Sequence, residues 1–197
     1  MRAHILEPVS PVRLALLLAL LLGRGVQAQP LIEPGRQPRW PDRTFDAVRV
    51  WIEPTSNVKD WTPANVNAAR DAFSAWSMLE IGVPFRFVAD SIRAEVRVHW
   101  VDRFDKPISG HTRADHDGSL FITAASLDMA VHHHTGVSLD NDAMRAIALH
   151  EVGHVLGLEH LPDSMAVMAP SVRVRTLTAA DRAAARRLYG FRYEPRP

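Results

Sequence analysis

The chain has 197 residues, no cysteine, and 23 Lys and Arg against 22 Asp and Glu, for a formal net charge of +1. So even a balance gives no reason to expect nucleic acid or an anionic membrane as partner. Without cysteine there is neither a disulfide framework nor a thiolate metal site, while the length suits one domain with a sizeable core.

Residues 1–28 read as a signal peptide. Arg2 and Arg13 make a positive start, Leu14 to Leu22 form a short apolar core, and Val26-Gln27-Ala28 is a small-x-small cleavage site. The apolar run falls far short of the ~20 residues that a membrane-spanning helix needs. Cleavage is therefore expected to leave an exported chain, secreted or periplasmic, with no stable membrane anchor. Residues 29–45 form a Pro-rich lead-in (Pro30, Pro34, Pro38, Pro41), expected to be extended and too short for a folded prodomain.

Val48, Val50 and Ile52 then alternate with Arg49, Trp51 and Glu53 as a half-buried strand. Thr62-Pro63 opens a helix, a capping residue before a proline at the first helical position, with Val66, Ala69, Phe73 and Trp76 as its core face. Phe85 to Val88 is a short second strand and Ala94 to Val101 a third. Leu120 to Leu127 is a fourth, following an Asp117-Gly118 turn. A helix is expected from about Asn141 to Leu158, and a last one from a capping-box-like Thr178 and Asp181 to Gly190. Strands with one helix among them, then a site helix, describe an α+β domain over residues 46–191, with residues 192–197 as an uninformative tail.

The chemistry is concentrated in His150-Glu151-Val152-Gly153-His154-Val155-Leu156-Gly157-Leu158-Glu159-His160. Residues four apart share a helix face, so His150 and His154 can aim at one ion. Gly157 can take a left-handed conformation that ends the helix and turns the chain back, which delivers His160 as a third ligand. Three nitrogens leave a coordination position open, the mark of a catalytic rather than a structural zinc. Glu151 is placed to deprotonate a metal-bound water rather than to ligate.

These eleven positions, followed by Met168 and Pro170, resemble the zinc motif and methionine turn of the matrixins, the matrix metalloproteinase branch of the metzincins. The resemblance extends to Ala72-Phe73-Ser74-Ala75-Trp76-Ser77 in the first helix, Ala94 to Val98 in the third strand and Leu177 to Gly190 in the last helix. It thus covers roughly Asp46 to Phe191. It implies a twisted, mostly parallel sheet with an antiparallel edge strand above the cleft and the zinc helix beneath. It also implies that Met168 packs below the metal, that Pro170 belongs to the same turn, and that Asp181 holds that turn's backbone. Phe121, Ile122, Thr123, Ala124 and Ala125 are expected on the edge strand that receives substrate. Ser171 and Val172 begin the wall of the pocket beyond the scissile bond.

The chain departs from the family at several points. Ala180 replaces an aspartate that receives a freed N-terminus, Pro170-Ser171-Val172 replaces Pro-x-Tyr, and the short stretch from Ser171 to Thr176 carries Arg173 and Arg175. Cysteine latency is excluded. Ala125 stands where a histidine ligand of a structural zinc is usual, so only the catalytic zinc is expected. His99 reads as a surface histidine and His132-His133-His134 as a loop cluster. Asp115-His116-Asp117-Gly118 reads as a turn, calcium or a second zinc being its minority readings. The expected activity is that of an exported zinc endopeptidase acting as a monomer on protein or peptide substrates. An exported metal-binding protein without proteolytic activity would need the three histidines but have no use for Glu151, and a hydrolase of non-peptide amides is a further alternative.

Overall fold

Alternation along the strands builds the sheet. In β1 (Val48–Ile52) the odd-facing Val48, Val50 and Ile52 are buried and the residues between them are half-buried. β2 (Phe85–Phe87) and β3 (Val96–Val101) flank β1 in parallel, pairing Val48 with Phe85 and Val50 with Val96. β5 (Ile122–Ala130) runs parallel beside β3, pairing Val98 with Leu127 and Trp100 with Met129. β4 (Gly110–His116) closes the sheet as an antiparallel edge, pairing Ala114 with Ala125 and Gly110 with Met129. The order is β2-β1-β3-β5-β4. The protein is an α+β domain, seen in a computed structural model that describes residues 37–190; the signal-like segment 1–28, the start of the lead-in and the tail 192–197 lie outside the described residues. No described helix is long and apolar enough to cross a membrane.

One expectation is corrected here. Residues 121–125 do not offer a free edge. Ile122 to Ala125 lie in β5, which β4 covers on one side, while β3 covers the other side from Ala125 onward and Arg39 bridges to Phe121. The edge strand is Gly110–His116, a segment without apolar alternation. Its one buried residue is a glycine, because it presses its backbone rather than large side chains onto the domain. β5 carries the alternating apolar residues because it lies inside the sheet.

Two helices pack together beside this sheet. α1 (Pro63–Ser77) is capped by Thr62, whose N–H donates to the Asn65 side chain at 2.9 Å. Its Ala68, Ala69 and Ala72 keep the buried face thin, and Trp76 donates from Nε1 to the Leu149 carbonyl at 2.9 Å. Leu149 belongs to α2 (Asn141–Val155), which Asp140 caps by accepting from the Ala143 N–H at 2.7 Å. α3 (Ala179–Tyr189) starts at the Thr178 cap.

The lead-in is not a separate segment once it reaches Gln37. Trp40 is completely buried, and its indole N–H donates to the Val155 carbonyl at 2.9 Å. The Tyr189 hydroxyl donates to the Leu156 carbonyl, and Gln37 Nε2 donates to the Gly157 carbonyl, each at 2.5 Å. A helix leaves its last carbonyls without intrahelical partners. Here the residues before β1 and the last helix supply them, which fixes the end of α2 where the chain must turn.

Candidate active site

α2 ends in a Schellman turn. The Gly157 N–H donates to His154 and the Leu158 N–H to Gly153, at 2.8 and 3.0 Å, with Gly157 at φ +89°. Only glycine fits there for a second reason, since a Cβ would lie 2.0 Å from the Pro38 carbonyl oxygen. The turn redirects the chain so that His160 faces the pair on the helix. His150 Nε2 lies 3.1 Å from His154 Nε2 and 3.2 Å from His160 Nε2. Zinc–imidazole bonds of ~2.0–2.1 Å arranged tetrahedrally separate the nitrogens by roughly 3.3 Å, so the three rings fit a zinc ion closely. Among the described residues these three histidines form the one group of three or more metal-ligating side chains whose ligand atoms converge.

The ring tautomers follow from the partners. His150 Nδ1 lies 2.7 Å from the Val167 carbonyl, and His154 Nδ1 lies 2.7 Å from the Leu158 carbonyl. A carbonyl only accepts, so each Nδ1 carries the proton and each Nε2 presents its lone pair. Burial lowers the pKa of His150, and burial followed by the neighbouring imidazoles brings His154 down to about 4. Both rings are therefore neutral at pH 7 without help from a metal, as ligands must be.

The Met turn supports this arrangement from below. Asp181 is completely buried, with Oδ1 accepting from the Met168 N–H and Oδ2 from the Val167 N–H, both at 3.0 Å. The Thr178 N–H and hydroxyl complete its set at 2.8 and 2.7 Å. A chain of contacts thus runs from Asp181 through Val167 to His150. Met168 is completely buried against α2, so close that a Cβ on Gly153 would lie 2.2 Å from its sulfur.

Glu151 is only 6 % exposed, so it is not a solvated helix carboxylate. Burial pushes its carboxyl up to about 7, opposed by the Thr112 hydroxyl, which donates to Oε2 at 2.7 Å. β4 closes over it so tightly that a Cβ on Gly110 would lie 2.5 Å from Glu151 Cγ and Oε1. The cleft, about 690 Å³, lies between β4 and α2. Gly110, His111 and Thr112 line it on one side and Ala143, Ala146, Ile147 and Glu151 on the other; His154 and His160 line it as well.

Of the residues singled out from sequence, the cleft brings together Glu151, His154, His160, Gly157, Pro170, Ser171, Val172 and, from β5, Ile122. It does not include the rest of the 121–125 group. Phe121 lines a separate cavity with Arg39 and Tyr189, Thr123 is exposed, Ala124 is half-buried and Ala125 is buried within the sheet, between β3 and β4. Gly110, His111 and Thr112 join the cleft without a signature in the sequence; the Asp117-Gly118 turn, which joins β4 to β5, is the one signal that a partner strand precedes β5. His132 has another role than metal binding. Its Nδ1 bonds Asp102 at 2.8 Å and its Nε2 bonds Asp60 at 2.9 Å, so two carboxylates hold both ring protons and raise its pKa, Asp60 contributing most.

Comparison with known proteins bears on the family of the whole domain. The family model described as Matrixin matches residues 48–190. The chain is 33 % identical over 171 residues to Metalloendoproteinase 1-MMP of Arabidopsis thaliana, covering 78 % of this chain and 45 % of that protein. It is 30 % identical over 139 residues to Metalloendoproteinase 1 of Glycine max, covering 64 % of this chain and 45 % of that protein. It therefore spans less than half the length of either relative. With the family model matched over most of its length, the chain belongs to the matrixin family.

Proposed function

We propose that the protein is an exported zinc metalloendopeptidase. The observation that carries this reading is the meeting, in one cleft, of three convergent Nε2 atoms, a buried carboxylate and a strand paired on one side only. His150, His154 and His160 would hold the zinc, which when bound acidifies water and polarises a carbonyl. Glu151 accepts the proton from the attacking water and passes it to the leaving nitrogen. Its burial, which favours the protonated carboxyl, suits it to both halves of that transfer.

β4 supplies recognition. An edge strand has free N–H and C=O groups that an extended peptide can pair with. The strand is seven residues long and lines the cleft with Gly110, His111, Thr112 and Ala114, which favours cleavage within a chain over reading of its ends. Ser171 and Val172 would wall the pocket beyond the scissile bond, and the signal-like residues 1–28 support a secreted or periplasmic location. The substrate is protein or peptide, and the enzyme acts as a monomer without nucleic acid. A role in metal binding alone leaves unexplained a carboxylate buried beside the ligands and bonded by the opposite strand.

The test is a digest of a mixed peptide library. Internal cleavage that stops on chelation and returns with zinc is the expected result. Stoichiometric zinc uptake without cleavage of any peptide would favour the metal-binding reading instead.

A further inference from the structure

The edge strand carries more than backbone. Side chains alternate along a strand, and on β4 the face turned towards α2 presents Gly110 and Thr112, both against Glu151. The Thr112 hydroxyl lies 2.7 Å from Glu151 Oε2 and 3.2 Å from the Glu151 carbonyl oxygen. It has one proton to give, and the shorter contact to the carboxylate is the stronger claim on it. Gly110 walls the other carboxylate oxygen, Oε1, at a distance that leaves no room for a Cβ. Glu151 is thus held between a donor and a steric stop, both on the strand that receives substrate. Among the described residues, Thr112 is the one side chain hydrogen-bonded to this carboxylate.

We propose that Thr112 is a positioning residue for the general base, fixing the Glu151 carboxylate from the substrate-binding strand. This rests on the reading of Glu151 as that base. A buried carboxylate that loses its donor can rotate or take up a water, and the proton it must receive is then no longer in line. The strand that aligns the scissile bond therefore also aligns the group that acts on it.

The test compares Thr112→Val, Thr112→Ala and Thr112→Ser in the full zinc-loaded chain. Loss of a hydrogen bond to a charged group should lower kcat roughly 10- to 100-fold in the valine and alanine variants. KM should stay within about twofold and zinc content unchanged, because the backbone of β4 and the histidines are untouched. Serine keeps the hydroxyl and should restore kcat to within about threefold of the parent. A second readout needs neither zinc nor turnover. In the zinc-free protein Thr112→Val should lower the denaturation midpoint, and this shift should vanish in a Glu151→Ala background. Parent-level kcat in both Thr112→Val and Thr112→Ala, or a shift that persists undiminished without Glu151, overturns the role of Thr112 and leaves the peptidase reading standing. A parent protein that cleaves no peptide overturns both.

Discussion

The floor and the roof of the cleft are built in opposite ways. The floor, α2 with its turn and the Met loop, is ordered by side chains. Trp40, Tyr189 and Gln37 take the end carbonyls of the helix, Asp181 takes two amides of the loop, and Gly157 is confined by both φ and contact. The roof, β4, buries one glycine and acts through its backbone and a single hydroxyl. On the proposed function the contrast separates two tasks: rigid burial holds the three histidines at fixed spacing, while an unpaired strand stays open to many peptide sequences. Damage to the floor should cost folding and metal together, and damage to the roof should cost mainly turnover, with a smaller loss of stability and zinc content kept.

Gly157→Ala should show one of the two largest losses of stability. It forces an L side chain to φ +89° and pushes a Cβ into the Pro38 carbonyl. Left-handed strain and overpacking together should cost about 3 kcal/mol or more, read as a lower denaturation midpoint and poor zinc retention. Next comes Asp181→Ala, which orphans the Val167 and Met168 amides at about 1–3 kcal/mol for each buried N–H. Because Val167 orients His150, zinc affinity should also fall roughly 10- to 100-fold. Competition with a chromogenic chelator checks it, and unchanged affinity would break the link from Asp181 to the metal site.

On the roof, Gly110→Ala should leave zinc content near the parent value, cost less stability than Gly157→Ala and lower kcat roughly tenfold by displacing the Glu151 carboxylate. Equal kcat would show that β4 has slack over the base. The smallest effect concerns the His132 clamp between Asp60 and Asp102. The pKa of His132 is raised above its ordinary 6.5, first by the Asp60 bond. Its contribution is therefore fully present below 6.5 and lost as pH rises through the raised value. The pKa of Asp60 is lowered from 3.8, so its share is present above 3.8 and lost as pH falls through the lowered value. The thermal midpoint of the parent should decline on raising pH above 6.5 more than that of His132→Gln. Parallel curves would show that the clamp does not contribute.

What could be read from sequence follows the same division. The floor is written in contiguous residues with local spacing: His150 and His154 on one helical face, Gly157 at its end, and the Thr178 and Asp181 cap. The contact of Asp181 with the Met turn came only through resemblance to a family, since thirteen residues separate it from Met168 and no local rule joins them. β4 is not legible because Gly-His-Thr-Arg-Ala-Asp-His shows no apolar period, while the visible apolar alternation belongs to β5, inside the sheet. Trp40 stands among prolines that read as extended chain, yet it fills the core beneath the end of α2.

The central claim is that a buried carboxylate beside three zinc-binding imidazoles moves the proton of peptide hydrolysis. Zinc content and peptide cleavage measured together on Glu151→Ala test it most directly. The account predicts full zinc occupancy with cleavage reduced by at least about 10²- to 10⁴-fold. Cleavage at the parent rate by the zinc-loaded variant would contradict it.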